Sequence, residues 1–275
     1  MVRKRLTQRF PWLLPLRKRQ RLFCFYTKMK WDKNNYAKTQ TPELLAHLLF
    51  ASSCPMLNAS TGFDMVYQEN KIFNLKLAAV TLDKLVIRPG ETFSFWQRVR
   101  NADKEIPYRD GLAEVNGVLT TEYGGGLCQI SNLLCWLFLH TPLTITERHG
   151  HGKKDFPEPK SDAPMGVDAT VSEGWLDLRV RNDTNAVFQI SLTFDNSQIV
   201  GRISADRVLD KTWRVVNRNL TYTREAAGIF EEVDVVRQVF ETATGRLLEE
   251  KTAYRNRCKI GYPLPADTPV TEKGN

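Results

Sequence analysis

The 275-residue sequence predicts an α+β fold, with two or three helices packed on a largely antiparallel sheet. Three observations carry this. Leu127, Ile130, Leu134, Leu137 and Phe138 recur at three- and four-residue steps, which is a helical period. In the C-terminal half, apolar and polar residues alternate through 176–180, 188–194 and 233–254, which is a strand period. Strands and helices do not alternate regularly, and Gly124-Gly125-Gly126 followed by Leu-Cys is neither a dinucleotide nor a P-loop fingerprint, so a doubly wound sheet is not expected.

The start of the chain is set apart by charge. Residues 1–31 hold ten Lys or Arg and no Asp or Glu, whereas the whole chain has a net charge of +8, so the remainder sums to −2. Phe10, Trp12, Leu13, Leu14, Leu16, Phe23, Phe25 and Tyr26 are interleaved with these cations, a mixture suited to an anionic membrane surface. The apolar run Phe10–Leu16 contains Pro11 and Pro15 and is too short for a spanning helix or a signal segment. The expected location is therefore cytoplasmic, peripheral at the inner membrane face, with nucleic acid not the expected partner. The expected divisions are this segment (1–35), an α+β core (36–205), a β-hairpin region (206–264) and a loose tail (265–275).

Next in order, Thr41 as N-cap, Pro42 at the first helical position and Leu44, Leu45, Leu48 and Leu49 on one side predict a packing helix over 41–50. Helical spacing of Leu75, Ala78, Ala79, Leu82 and Leu85 predicts a second over 73–85, followed by an Arg88-Pro89-Gly90-Glu91 turn. A strand with Phe93 and Phe95 on one face comes next, then surface connections over 97–123. The patterns at 176–180 and 188–194 give two turns and three strands, and 233–240 with 246–254 gives a further hairpin. Five scattered cysteines without a C-x-x-C pair are no disulfide framework.

The chemistry gathers between Tyr123 and His151. Cys128 falls in the first turn of the 127–139 helix, where unpaired N–H groups and the helix dipole favour a thiolate, lowering a thiol pKa of about 8.5 toward roughly 3.5–7.5. Gly124, Gly125 and Gly126 admit a substrate carbonyl close to the backbone and offer N–H groups for an oxyanion. After Pro142, residues 143–148 alternate as a strand; continued to 151, it delivers His149 and His151 to one side. Helix and returning strand each cover about 20 Å, which brings a histidine level with Cys128 and leaves His140 at the far helix end, facing the dipole. Gly150 permits a bend that favours His149 as general base, with His151 on the substrate side. Asp168 either orients the histidine or serves a turn. Cys128, His149 and His151 could also supply three metal ligands, but no fourth accompanies them, and the expected metal and cofactor are none. The plainer alternative is a buried cysteine after a glycine turn.

Gly124-Gly125-Gly126-Leu127-Cys128-Gln129-Ile130-Ser131, Glu147-Arg148-His149-Gly150-His151, Asp168-Ala169-Thr170-Val171 and Arg88-Pro89-Gly90-Glu91-Thr92-Phe93-Ser94-Phe95, in this combination, resemble the VanW family. The resemblance implies a role near glycopeptide resistance and peptidoglycan, with L,D-transpeptidase-like chemistry associated with some members. It makes a cysteine-dependent acyl transferase or hydrolase on peptidoglycan-type peptides the leading expectation. Cys128, His149, His151 and Asp168 would be catalytic, and Gly124, Gly125, Gly126, Gln129, Ser131 and Arg148 would lie on the substrate side. The alternative is a non-catalytic module that binds a cell-wall precursor or a resistance enzyme at the membrane surface.

Overall fold

The computed structural model describes residues 10–115, 117–159 and 161–272. A 3-10 turn (Pro11–Leu13) leads into helix α1 (Leu14–Trp31), so the cation-rich segment is helical from residue 14, while the part of it before residue 10 lies outside the described residues. Pro15 is tolerated because it stands in the first turn, where an N–H has no partner to lose.

Most of the chain is sheet. One four-stranded sheet has the order β1 (Asn35–Tyr36), β4 (Glu91–Ser94), β9 (Arg179–Arg181), β7 (Thr144–Glu147). A second runs β2 (His47–Pro55), β11 (Gln198–Ala205), β10 (Phe188–Phe194), β3 (Val86–Ile87). The third is built on three long strands, in the order β15 (Val270–Glu272), β12 (Lys211–Glu225), β13 (Gly228–Glu241), β14 (Leu247–Ile260), β8 (Lys153–Lys154). A separate hairpin pairs β5 (Asp110–Val115) with β6 (Val118–Tyr123). Only the pairs β1–β4, β12–β15 and β14–β8 are parallel among those described, so the fold is α+β with largely antiparallel sheets.

Helices α2 (Val66–Leu82), α3 (Phe95–Val99) and α4 (Cys128–Leu139) pack on this framework. Apart from its first turn and Asn132, α4 is buried, because it lies between sheets. Leu133 and Leu137 press on Gly201 of β11, where an added Cβ would come within 2.9 Å of Leu137, while the Phe138 ring meets Phe93 of β4 at 5.1 Å. Full burial of each such side chain contributes about 1.5–3 kcal/mol. The helix stops at His140 because Thr141-Pro142 follows, and proline cannot continue the ladder.

Several elements differ from the sequence reading. The helix expected over 41–50 is absent: Gln189, buried in β10, accepts from the Leu45 N–H and donates to the Glu43 carbonyl, and β2 starts at His47 and pairs along β11. Leu44 and Leu48 are exposed, so the leucine spacing that fits a helix face also fits an irregular lead into a strand. Helix α2 begins seven residues earlier than 73 and ends three before 85. The strand at Phe93 gives way at Phe95 to α3, capped by Ser94, whose hydroxyl accepts from the Gln97 N–H. The strand expected to reach residue 151 ends at Glu147. In the stretch read as a loose tail, Val270–Glu272 pairs with β12.

Candidate functional site

The site forms where the N-terminus of α4 meets the two connections 148–152 and 166–172. Cys128 is the first residue of α4, preceded by Leu127 in helical conformation without a side-chain cap, so its sulfur lies at the positive end of the helix dipole. The glycine loop before it is held by its surroundings. Gly125 touches Gly111 of β5 so closely that a Cβ would stand 2.2 Å from the Gly111 oxygen, and the buried Asn74 donates to the carbonyls of Gly125 and Arg109. Gly126, at φ +95°, lies beneath the Lys71 side chain.

Not every glycine N–H can meet an oxyanion. That of Gly124 donates to the Arg109 carbonyl and that of Gly125 to the Glu122 carbonyl, so these two glycines shape the loop. The N–H groups of Gly126, Leu127 and Cys128 have no protein acceptor among the described residues. They are the donors free to face an incoming oxygen.

Gly150 decides which histidine reaches the sulfur. A Cβ at Gly150 would fall 2.2 Å from Asn256 Oδ1, so glycine lets the chain pass close to the Asn256 side chain of β14 without displacing it. Turning there, His149 faces away: its Nε2 lies 3.0 Å from Glu147 Oε1, in a network with Arg179 and Asp177, and its side chain is 38% exposed. His151 turns inward, near enough to Cys128 for its charge to act on the sulfur, and presents Nδ1 at 3.0 Å from Asp168 Oδ2. It is therefore His151, and not the expected His149, that stands near Cys128, since the strand meant to deliver His149 ends at Glu147. With His149 turned away, the three ligands of the metal reading are not brought together.

Asp168 is the buried anchor of the arrangement. It accepts from both the backbone N–H and the ring of His151, and it is ion-paired with Arg148. Arg148 is itself buried; its Nε donates to the Asp168 carbonyl at 2.7 Å, its Nη2 donates to Asn256 Oδ1 at 3.0 Å, and its guanidinium stacks 3.9 Å over Tyr254. This clamps Arg148 between Asp168 and β14. Gln129 and Ser131 are tied to the main chain of neighbouring segments. Gln129 Nε2 donates to the Pro55 carbonyl at 2.7 Å, and the buried Ser131 donates to the Ala169 carbonyl at 2.5 Å. Asn132 accepts from the Ala169 N–H at 2.7 Å, so residues 168–171 are tied along α4 beside the sulfur. Thr170 Oγ1 stands 3.6 Å from Cys128 Sγ and the Val171 carbonyl oxygen 3.7 Å. The sequence reading did not single out Thr170, Val171, Asn132, Tyr254 or Asn256. Only the Asp168-Ala169-Thr170-Val171 motif marked the first two.

Charge follows geometry. Burial pushes the Cys128 thiol up, but the hydrogen bond and positive charge of His151, with contacts at the Val171 backbone and Thr170 hydroxyl, more than offset this and lower its pKa. Burial likewise disfavours the charged His151 ring, yet Asp168 and the Cys128 thiolate hold its pKa well above the ordinary value. Asp168 is held below its ordinary value despite burial, because His151 and Arg148 both stabilise the carboxylate. The shifts of Cys128 and His151 favour the charged form of each, with the Asp168 carboxylate behind the histidine, and the site is open in part to solvent, His151 being 22% exposed. His140 is no part of it: buried, stacked on Phe50 at 3.6 Å and hydrogen-bonded to the Trp136 carbonyl, its pKa is lowered to about 4.

Residues 70–204 match the family described as VanW like protein. The chain is 54% identical over 272 residues, 99% of each protein, to the Vancomycin B-type resistance protein VanW of Enterococcus faecalis (strain ATCC 700802 / V583). It is also 32% identical over 176 residues to the uncharacterized protein YoaR of Bacillus subtilis (strain 168), covering 64% of this chain and 55% of that one. No solved structure matches. Near full-length identity to a VanW protein, together with the matched region that contains Cys128, His151 and Asp168, shows that this chain belongs to the VanW family.

Proposed function

We propose that this chain is an accessory protein of vancomycin resistance that acts on peptidoglycan-type peptides through Cys128, as an acyl transferase or hydrolase. The observation that carries this reading is the alignment of Cys128, His151 and Asp168 at the start of α4. The near full-length similarity to a vancomycin resistance protein supports the biological setting.

In this reading the Cys128 thiolate attacks the carbonyl carbon of a peptide amide, forming a C–S bond and a tetrahedral oxyanion. The N–H groups of Gly126, Leu127 and Cys128 stabilise that oxyanion. The imidazolium of His151 gives its proton to the leaving amine as the C–N bond breaks, leaving a thioester. Water, or the amine of a second peptide, then loses a proton to His151 and attacks the thioester, restoring the thiolate–imidazolium pair. Asp168 stays ionised throughout and keeps the ring oriented. No cofactor enters the cycle. The location included in the proposal is the inner face of the membrane, supported by the cations of α1; among the described residues no helix is long and apolar enough to cross a membrane.

The test is intact-mass analysis after incubation with peptidoglycan-derived tetra- and pentapeptides. An acyl adduct on Cys128, absent in Cys128→Ala, supports the proposal. If the thiol reacts with alkylating agents but neither adduct nor product forms with any peptide, the chain is a binding module for such peptides or for a resistance enzyme.

A further inference from the structure

Helix α1 uses only one side to join the fold. Phe25 packs against the core, Met29 is buried, Leu22 lies against Gly174, and Tyr26 donates to Glu173 at 2.6 Å. The other side carries large apolar groups that the fold leaves bare. Trp12 is 74% exposed, Leu16 64%, Phe23 72% and Trp31 80%. Leu16, Arg19, Phe23 and Lys30 follow one another at steps of three, four and seven residues, so they share one face of the helix, and Trp12 stands in the turn before it. Arg17, Lys18, Arg21 and Lys28 lie on the same helix, which has no acidic residue. Exposed apolar groups interspersed with cations, on a helix without an acidic residue, suit the interface of an anionic bilayer.

The docked side of α1 leads toward the cysteine. Glu173, Gly174 and Trp175, which meet Tyr26, Leu22 and Arg21, belong to the turn directly after Thr170 and Val171, the two residues beside the sulfur. Trp175 is itself exposed and carries the Arg21 guanidinium 4.6 Å above its ring.

We propose that the bare surface of α1 is a docking surface for anionic phospholipid, with its aromatic and aliphatic groups entering the headgroup–acyl boundary and the cations of the helix pairing with lipid phosphates. It gives a specific surface to the membrane location proposed above and does not depend on Cys128 being catalytic. A lipid-docked α1 holds the 172–176 turn, and with it the cysteine site, near the bilayer.

The experiment is co-sedimentation of the full chain with vesicles of phosphatidylcholine alone and of phosphatidylcholine with phosphatidylglycerol. Binding is expected only to the anionic vesicles, and it should weaken with added salt. The double variant Trp12→Ser/Phe23→Ser, and separately Arg17→Gln/Lys18→Gln, should each need at least about tenfold more lipid for half-maximal binding. All four positions are exposed, and an unchanged thermal transition shows that these variants remain folded. Equal binding to both vesicle types, no binding, or variants that bind like the parent overturns the proposal. So does a concentration-dependent dimer that the Trp12→Ser/Phe23→Ser pair abolishes, which assigns the stripe to a second copy of the chain. Vesicle binding reports on the lipid face and peptide adducts on Cys128, so failure of one leaves the other standing.

Discussion

His151 Nδ1 lies 3.0 Å from Asp168 Oδ2, which commits one ring nitrogen to the carboxylate and holds the ring near Cys128. The same oxygen accepts the His151 backbone N–H at 2.9 Å, so ring and main chain are held by one group. This relationship makes the histidine pKa a reporter of the site. In NMR titration the His151 ring should stay protonated well above the ordinary value of about 6.5. In Asp168→Asn it should titrate closer to that value. A His151 that titrates normally in the parent protein removes the ion pair from the account.

Asp168 also neutralises a buried arginine. Replacing it with asparagine leaves the Arg148 guanidinium without its carboxylate, between Asn256 and Tyr254, and should destabilise the fold by about 3–5 kcal/mol in denaturant unfolding. The sign of the pH dependence follows from the two shifts. Because Asp168 is depressed, its contribution is present above the unfolded carboxylate pKa of about 3.9 and is lost as pH falls through the lower folded value. Because His151 is raised, its contribution is full below about pH 6.5 and is lost as pH rises through the folded value. The difference in stability between the parent and His151→Gln should therefore be largest in mildly acidic solution and shrink toward alkaline pH. A difference that grows with pH contradicts the assignment.

Gly150 should tolerate no side chain. In Gly150→Ala the new methyl would meet Asn256 Oδ1 at 2.2 Å and the Arg148 guanidinium at 3.2 and 3.3 Å. The expected cost is about 1–3 kcal/mol, with slower alkylation of Cys128 because Arg148 and Asp168 shift together. Unchanged stability and thiol reactivity in this variant would show that the β14 contact does not position the site.

The parts legible in the sequence were those whose partners are neighbours along the chain. The Gly-Gly-Gly turn, a helix period beginning at Cys128 and two histidines after a return stroke of matching length placed the sulfur and a histidine together. The choice between His149 and His151 was not legible, because it depends on where β7 ends and on the close passage of Gly150 past Asn256. The setting of Arg148 was not legible for the same reason: its partners Tyr254 and Asn256 lie on β14, over a hundred residues away in sequence. The leucines of 41–50 read as a helix because a short apolar run fits two periods, and the deciding group was the side chain of Gln189 on another strand. Helix α1 was not expected, because the basic segment was weighed by its charge and its short Phe10–Leu16 run, and no apolar period pointed to a helix; Pro15 occupies its first turn.

The most direct measurement is the pH dependence of Cys128 alkylation by iodoacetamide, with the modified residue identified by peptide mapping, in the parent chain and in His151→Ala and His149→Ala. With the thiol pKa lowered by His151, the parent should already react rapidly well below pH 8.5, where a free thiol is mostly protonated. His151→Ala should lose this acid-range reactivity by at least about tenfold at pH 6.5, whereas His149→Ala should follow the parent. A parent profile that matches a free thiol, or a larger loss in His149→Ala than in His151→Ala, would contradict the Cys128–His151 pair.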